Sequence, residues 1–263
     1  MGPSIETELL SNNKIHGDVI TVSGKKMTSC LDGHKIKDKD VITEFNNPLK
    51  NRAGFIVLKG NLFDSALMKT SVISEDFKRR FFSTPGKEGV FEAKAIVFEG
   101  PEDYHDRINN PELEINDKSI LFIRGVGCVG YPGSAEVVNM LPPDKLVKEG
   151  INHLPTVGDG RQSGTSESPS ILNASPESVV GGGLAFLKTG DRVLLDLNKS
   201  EMNALVPDEE WETRKKNWTA PEIISHTPWE EIYRSHVGQL AEGGCLEMAT
   251  KYQKIRKVLS RDN

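Results

Sequence analysis

The strongest constraint on how this chain folds is a pair of polar, glycine-dense loops, each led in by a strand-like run. The second loop, Gly158-Asp159-Gly160-Arg161-Gln162-Ser163-Gly164-Thr165-Ser166, follows Leu154-Pro155-Thr156-Val157 and has almost nothing to bury. Its glycines permit tight turns and close approach of the backbone to a ligand. The first loop runs from Arg124 to Met140, reads RGVGCVGYPGSAEVVNM, and follows Ser119-Ile120-Leu121-Phe122-Ile123. Two such loops at strand ends point to one site assembled where strands stop.

The rest of the chain reads as short strands punctuated by turns. Val19 to Ser23 is β-branched, and Asp40-Val41-Ile42 precedes the turn signal Asn46-Asn47-Pro48. Gly54 to Leu62 is expected as a buried strand, with Lys94 to Phe98, Ser119 to Arg124 and Arg192 to Leu197 as the other clear ones. Pro101 to Ile108 reads as a helix start, with proline and acids in the first turn. Ser175-Pro176-Glu177-Ser178 reads as another helix cap, and Gly181-Gly182-Gly183 as a helix end where chains pass closely. Two helices are expected in the tail, Pro207 to Lys216 and Pro228 to Leu240, the latter packing through Trp229, Ile232, Tyr233 and Val237. Irregular spacing of the strands argues against regular βαβ alternation and for a β-rich, barrel-like α/β domain with a helical tail.

At 263 residues the chain can bury a substantial core. A net charge of −5 gives no general attraction to nucleic acid or an anionic membrane. The three cysteines, Cys30, Cys128 and Cys245, are odd in number and far apart, which fits a reducing compartment. No apolar run is long enough to cross a bilayer. Residues 1–15, with Glu6 and Glu8, read as a lead-in or truncated linker rather than a signal peptide. These features indicate a cytoplasmic or organelle-matrix protein.

Generic motifs fail at both loops. Gly125-x-Gly127-x-x-Gly130 matches a dinucleotide fingerprint literally, but Tyr131-Pro132-Gly133 follows where a long helix should open. Ser163 invites a hydrolase reading, yet Gly160-Arg161-Gln162-Ser163-Gly164 is not a nucleophile elbow, and only sequence proximity pairs it with His153. Glu136 alone reads as a helix N-terminal glutamate, and Cys128 as a small buried hydrophobe.

The two loops together resemble the C-terminal domain of the dihydroxy-acid and sugar-acid dehydratases. The likeness is strongest to the L-arabinonate and D-xylonate branch. Gly130 to Met140 (GYPGSAEVVNM) is similar to one family block and Gly158 to Ala174 (GDGRQSGTSESPSILNA) to the other. Weaker likeness covers Asn61 to Ser71, Phe98 to His105 and Lys251-Tyr252-Gln253, so it extends from His16 to the C-terminus. Glu167 stands where members of this branch usually carry a small residue.

The resemblance implies an α/β fold, β-rich and of the swivelling type, around an eight-stranded barrel with flanking helices and a helical C-terminal tail. It divides the chain into a lead-in (1–15), a barrel-like domain (16–200) and a helical extension packed on it (201–263). The implied activity is a hydro-lyase that converts 2,3-dihydroxy sugar acids into 2-keto-3-deoxy acids. Ser163 takes the role of base and Glu136 that of a magnesium ligand, with Thr165, Arg161 and Gln162 at the substrate. The implied cofactors are Mg2+ and a 2Fe-2S cluster. Cys30, Cys128 and Cys245 do not match the cluster ligands, which the family carries in an N-terminal domain. The expected partners are therefore a sugar-acid substrate, an N-terminal dehydratase domain or subunit, and further copies in a homo-oligomer. Neither nucleic acid nor a membrane is expected. The competing expectation is a non-catalytic binding module derived from the same domain.

Overall fold

The computed structural model describes residues 2–49, 54–163 and 167–254. The chain forms two compact units, residues 1–53 and 54–263. In the first, helix α1 (Gly2–Ser11) occupies the stretch expected as a lead-in, and helix α2 (Met27–Leu31) buries Leu31. The strand expected over Val19–Ser23 does not form. An isolated bridge between Ile20 and Lys26 is all that pairs there, and Ile20 and Val22 face solvent. Asp40 to Ile42 is likewise a turn. A β-branched run without a partner strand has nothing to offset the cost of ordering it.

The second unit is built on a closed barrel. Its strands are β1 (Phe55–Gly60), β2 (Phe63–Lys69), β3 (Val90–Phe98), β4 (Ser119–Ile123), β5 (Thr156–Gly158), β6 (Ser170–Ser175), β7 (Arg192–Asp196) and β8 (Glu201–Ala204). Their order around the barrel is β1-β2-β6-β5-β4-β3-β7-β8. β3, β4, β5 and β6 run parallel to one another, so their C-terminal ends open at one rim. In parallel sheets that rim is where ligands bind.

Both faces of the parallel strands are covered. Ala95, Val97, Ile120 and Phe122 join one cluster, which also takes in Leu58, Met68, Val157 and Ile171. Ile96, Phe98, Leu121 and Ile123 join a second, whose other members include Val126, Val138 and Met140 from the first glycine loop. Burial on both faces explains why β3 and β4 read as continuous apolar runs. β1 is different from expectation: Leu58 is buried, but Phe55 and Val57 are exposed.

β1 and β8 close the barrel through a single parallel pair, Lys59 with Glu201. The side chain of Asn61 completes this seam. Its Nδ2 donates to Ala204 O (2.9 Å) and its Oδ1 accepts from Ala204 N (2.8 Å).

The helices flank the barrel. Ser74 caps α3 (Glu75–Phe81) by accepting from Phe77 N, and Phe77 packs edge-on against Phe82 and Phe91. α4 (Pro101–Arg107) begins where expected, with Asp103 accepting from Glu99 N at 2.8 Å. α5 (Asp144–Lys148) buries Leu146. α6 (Asp208–Asn217) inserts Trp211 edge-on to Phe186, and Arg214 forks onto Asp191 at 2.6 and 3.0 Å.

α7 (Pro228–His236) presents Trp229, 78% exposed, and Ile232, 44% exposed, to solvent, so two of its four expected packing residues do not pack. Val237 is buried, and Tyr233 partly so. α8 (Glu247–Thr250) completes the described tail. The helix expected at Ser175-Pro176 is also corrected. Ser175 ends β6, the Ser175–Pro176 peptide is cis, and only a short 3-10 turn over Ser178–Val180 follows. The triple glycine does end that turn, and a Cβ on Gly182 or Gly183 would strike the carbonyl of Pro176 or Asn61.

Candidate functional site

β4 and β5 deliver the two glycine loops to the same rim. The arm from Ser134 to Val138 and the arm from Gly160 to Arg161 lie side by side. Arg161 N donates to Ala135 O at 2.9 Å, and Val138 N donates to Arg161 O at 3.4 Å. Asn173 N, from β6, donates to Gly160 O at 2.9 Å, so three parallel strands contribute. The close approach needs glycine: a Cβ on Gly160 would lie 2.7 Å from Ala135 O and 2.9 Å from Val126 Cγ2. Gly160→Ala is therefore expected to destabilise the fold by about 2 kcal/mol and to push the two arms apart. Thermal denaturation of the variant checks the first effect.

The arms bring Glu136 and Arg161 together. Glu136 lies in an irregular stretch rather than at a helix start, and its side chain is 45% exposed. Arg161 Nη1 stands 3.9 Å from Glu136 Oε1, while Arg161 Nε donates to Ser134 O at 2.8 Å. One edge of the guanidinium is thereby fixed to the first arm, and the other faces the carboxylate. Gln162 is partly buried and Ser163 is exposed. Thr165 lies outside the described residues. Glu167 is exposed, and its carbonyl accepts from Ser74 N at 2.8 Å.

Two acids to which sequence reasoning gave no site role hold the loops in place. The fully buried Asp159 carboxylate accepts from Gly125 N (3.1 Å), Val126 N (3.0 Å), Ser178 N (2.8 Å) and Ser178 Oγ (2.7 Å). The buried Glu177 carboxylate accepts from Val129 N (3.0 Å), Gly130 N (2.9 Å) and Gln239 Nε2 (3.0 Å). A loop rich in glycine presents many N–H groups, and buried ones need acceptors. Here the protein's own carboxylates take the place that a phosphate takes in a nucleotide-binding loop. The tail reinforces the arrangement, with Arg234 Nε donating to Val129 O at 3.0 Å and Ala241 N to Ser175 Oγ at 3.2 Å.

Burial pushes the Glu177 carboxyl above its ordinary value of 4.5, and Asp159 pushes the same way; the amides of Val129 and Gly130 pull it back. Between 4.5 and the raised value the folded chain keeps a proton that the unfolded chain has lost. Stability from this group is therefore full below 4.5 and falls as pH rises through the raised value. The slope cannot exceed about 1.4 kcal/mol per pH unit. Urea denaturation across pH 4 to 8 is expected to show this slope in the wild type and to lose it in Glu177→Gln. Burial likewise raises the Cys128 thiol, which packs in the same loop as the sequence suggested.

The sequence profile of the dihydroxy-acid/6-phosphogluconate dehydratase C-terminal domain matches residues 40–245. The chain belongs to this family. It is 56% identical over 261 residues to a D-xylonate dehydratase of Caulobacter vibrioides, covering 99% of this chain and 44% of that protein. An L-arabinonate dehydratase of Rhizobium leguminosarum bv. trifolii is 32% identical over 89% of this chain and 38% of its own length. A dihydroxy-acid dehydratase of Saccharolobus islandicus is 28% identical over 92% of this chain and 41% of its own length. The chain thus spans less than half the length of these relatives and corresponds to their C-terminal dehydratase domain.

Among the described residues, no three His, Cys, Asp or Glu side chains are grouped to hold a metal ion. Cys128 is buried and Cys245 exposed, and Cys30 belongs to the first unit. The four soft thiolates that a 2Fe-2S cluster takes are not gathered here, so the cluster does not fit this chain. Glu136 does fit as one hard oxygen ligand of magnesium, because its carboxylate is accessible. No helix among the described residues is long and apolar enough to cross a membrane.

Proposed function

We propose that this chain is the C-terminal part of a hydro-lyase that dehydrates 2,3-dihydroxy sugar acids to 2-keto-3-deoxy acids. The observation that supports the reading is the backbone pairing of the two arms, which holds Arg161, two residues before Ser163, 3.9 Å from Glu136 at the parallel-strand rim. The names of the D-xylonate and L-arabinonate dehydratases support the substrate class.

In this reading the Ser163 alkoxide takes the proton from C2, the electron pair forms the C2–C3 double bond, and the departing C3 hydroxide takes that proton back from Ser163 and leaves as water. The resulting enol ketonises at C2. Such an alkoxide requires neighbouring positive charge. Arg161, fixed to Ser134 O and facing Glu136, supplies some of it and lies where it can orient the substrate. Gln162 and Thr165 orient the substrate. A magnesium ion held partly by Glu136 would stabilise the enolate-like charge. The cluster implied for the leaving hydroxyl is assigned to an N-terminal dehydratase domain or subunit, and no step above runs through it. Homo-oligomeric assembly and a cytoplasmic or organelle-matrix setting belong to the same proposal.

The test supplies the chain with the N-terminal part of a related D-xylonate dehydratase, reconstituted anaerobically with iron, sulfide and magnesium. Association and cluster content are verified first. Formation of 2-keto-3-deoxy acid from D-xylonate or L-arabinonate is the expected result. An associated, cluster-loaded pair that makes no product overturns the proposal and favours the binding module.

A further inference from the structure

The apolar flank of α7 faces solvent beside the first glycine loop. Tyr233 hydrogen-bonds the Cys128 thiol and the Gly133 backbone, and Arg234 Nε donates to Val129 O at 3.0 Å. The helix is thereby seated on the stretch of loop that leads to Glu136. Trp229 and Ile232 lie one turn apart on a different side of α7 and stay exposed. Tyr131, within the gripped stretch, is 48% exposed. Glu231, Ser235 and His236 are exposed along the same helix. Large apolar groups left in water and rimmed by polar ones mark an interaction surface.

Tryptophan and tyrosine are over-represented among the residues that dominate the binding energy of protein interfaces. What covers these two follows from what the site lacks. The cluster implied for the family does not fit this chain, so the part that holds it has to reach the rim from outside. A second copy of the chain would bring no further thiolates to it. The relatives, in contrast, carry more than half their length outside the part that matches this chain. A body seated on α7 stands against the loop that carries Glu136, which is where that part is needed. We propose that the Trp229–Ile232 flank of α7, together with Tyr131 of the loop, is the docking surface for the N-terminal, cluster-bearing part of the dehydratase. This inference rests on the dehydratase reading of the site and assigns its missing partner a place.

The test mixes the full chain with the N-terminal part of a related D-xylonate dehydratase, its cluster reconstituted anaerobically, and measures association by sedimentation velocity. Trp229→Ser combined with Ile232→Ser is set against Phe55→Ser combined with Val57→Ser, which removes exposed apolar groups from β1 instead. The expected result is association weakened by about thirtyfold in the α7 variant and by less than about twofold in the β1 variant. Hydroxyl-radical footprinting of the unaltered chain needs no variant, and oxidation of Trp229 is expected to slow severalfold when the N-terminal part is added. Undiminished association of the α7 variant, an equal loss in both variants, or an unprotected Trp229 overturns the inference. So does a wild type that does not associate, or self-association of the chain that the α7 changes abolish, which would seat a second copy there. Docking through α7 without turnover of D-xylonate or L-arabinonate sinks the dehydratase reading alone, whereas turnover with Trp229 unprotected sinks this inference alone.

Discussion

Asp159→Ala is expected to destabilise the second unit by about 4 kcal/mol, lowering its midpoint of thermal unfolding by on the order of 10 °C. The carboxylate accepts from three backbone N–H groups and one hydroxyl, and all of them except the part-buried Gly125 N are buried. Alanine leaves Gly125 N with Ser178 Oγ at 2.9 Å but removes the acceptor of Val126 N, Ser178 N and Ser178 Oγ, and each orphaned donor costs about 1–3 kcal/mol where water does not enter. Asp159→Asn is expected to fall between the two. Its amide keeps one accepting oxygen but turns an NH2 group toward donors. The effect reaches the site through the backbone, because Val126, held by Asp159, accepts from Ala135 N at 3.2 Å, next to Glu136. Differential scanning calorimetry of the three proteins checks the order. A loss under 1 kcal/mol in Asp159→Ala would show that the carboxylate does not organise the loops.

Ser163→Ala is expected to do the opposite: leave stability within about 0.5 kcal/mol of the wild type and lower turnover by about a thousandfold. Ser163 is exposed and makes no hydrogen bond among the described residues, so its hydroxyl contributes nothing visible to folding. If it removes the C2 proton, alanine leaves the bound substrate with no group to receive it. Single-turnover measurements in the reconstituted pair, together with a melting curve, separate the two effects. Turnover equal to the wild type would remove Ser163 from the chemistry.

The parts of the fold that were legible are those buried on two sides. β3, β4 and β7 are apolar enough to declare themselves as strands without their neighbours. β2 reads Phe-Asp-Ser-Ala-Leu-Met-Lys, whose residues do not favour strand, and it is a strand because β1 and β6 pair with it. β6 is short and polar, and β8 is only four residues long. The reverse error at Val19–Ser23 has the same origin, since β propensity without a partner does not make a sheet. Trp229 and Ile232 share a helical face with packing residues, yet periodicity does not say whether a face meets anything.

At the site, the roles proposed for Glu136 and Ser163 rest on the family blocks rather than on local pattern. Asp159 and Glu177 were in plain view, one inside the glycine loop and one read as a helix-cap acid. The usable signal is a run of glycine amides close in sequence to acids. Donors crowded on one loop imply acceptors buried near it.

The seam of the barrel carries a consequence of its own. A ring of strands protects its members by leaving none at an edge, yet this ring is fastened at β1 and β8 by one strand pair and the side-chain amides of Asn61 and Asn203. The closure is a clasp rather than a weld. Its register is written in two side chains, Asn61 and Asn203, so evolution can lengthen, shift or open the ring there without rewriting the parallel strands that carry the glycine loops on the far side.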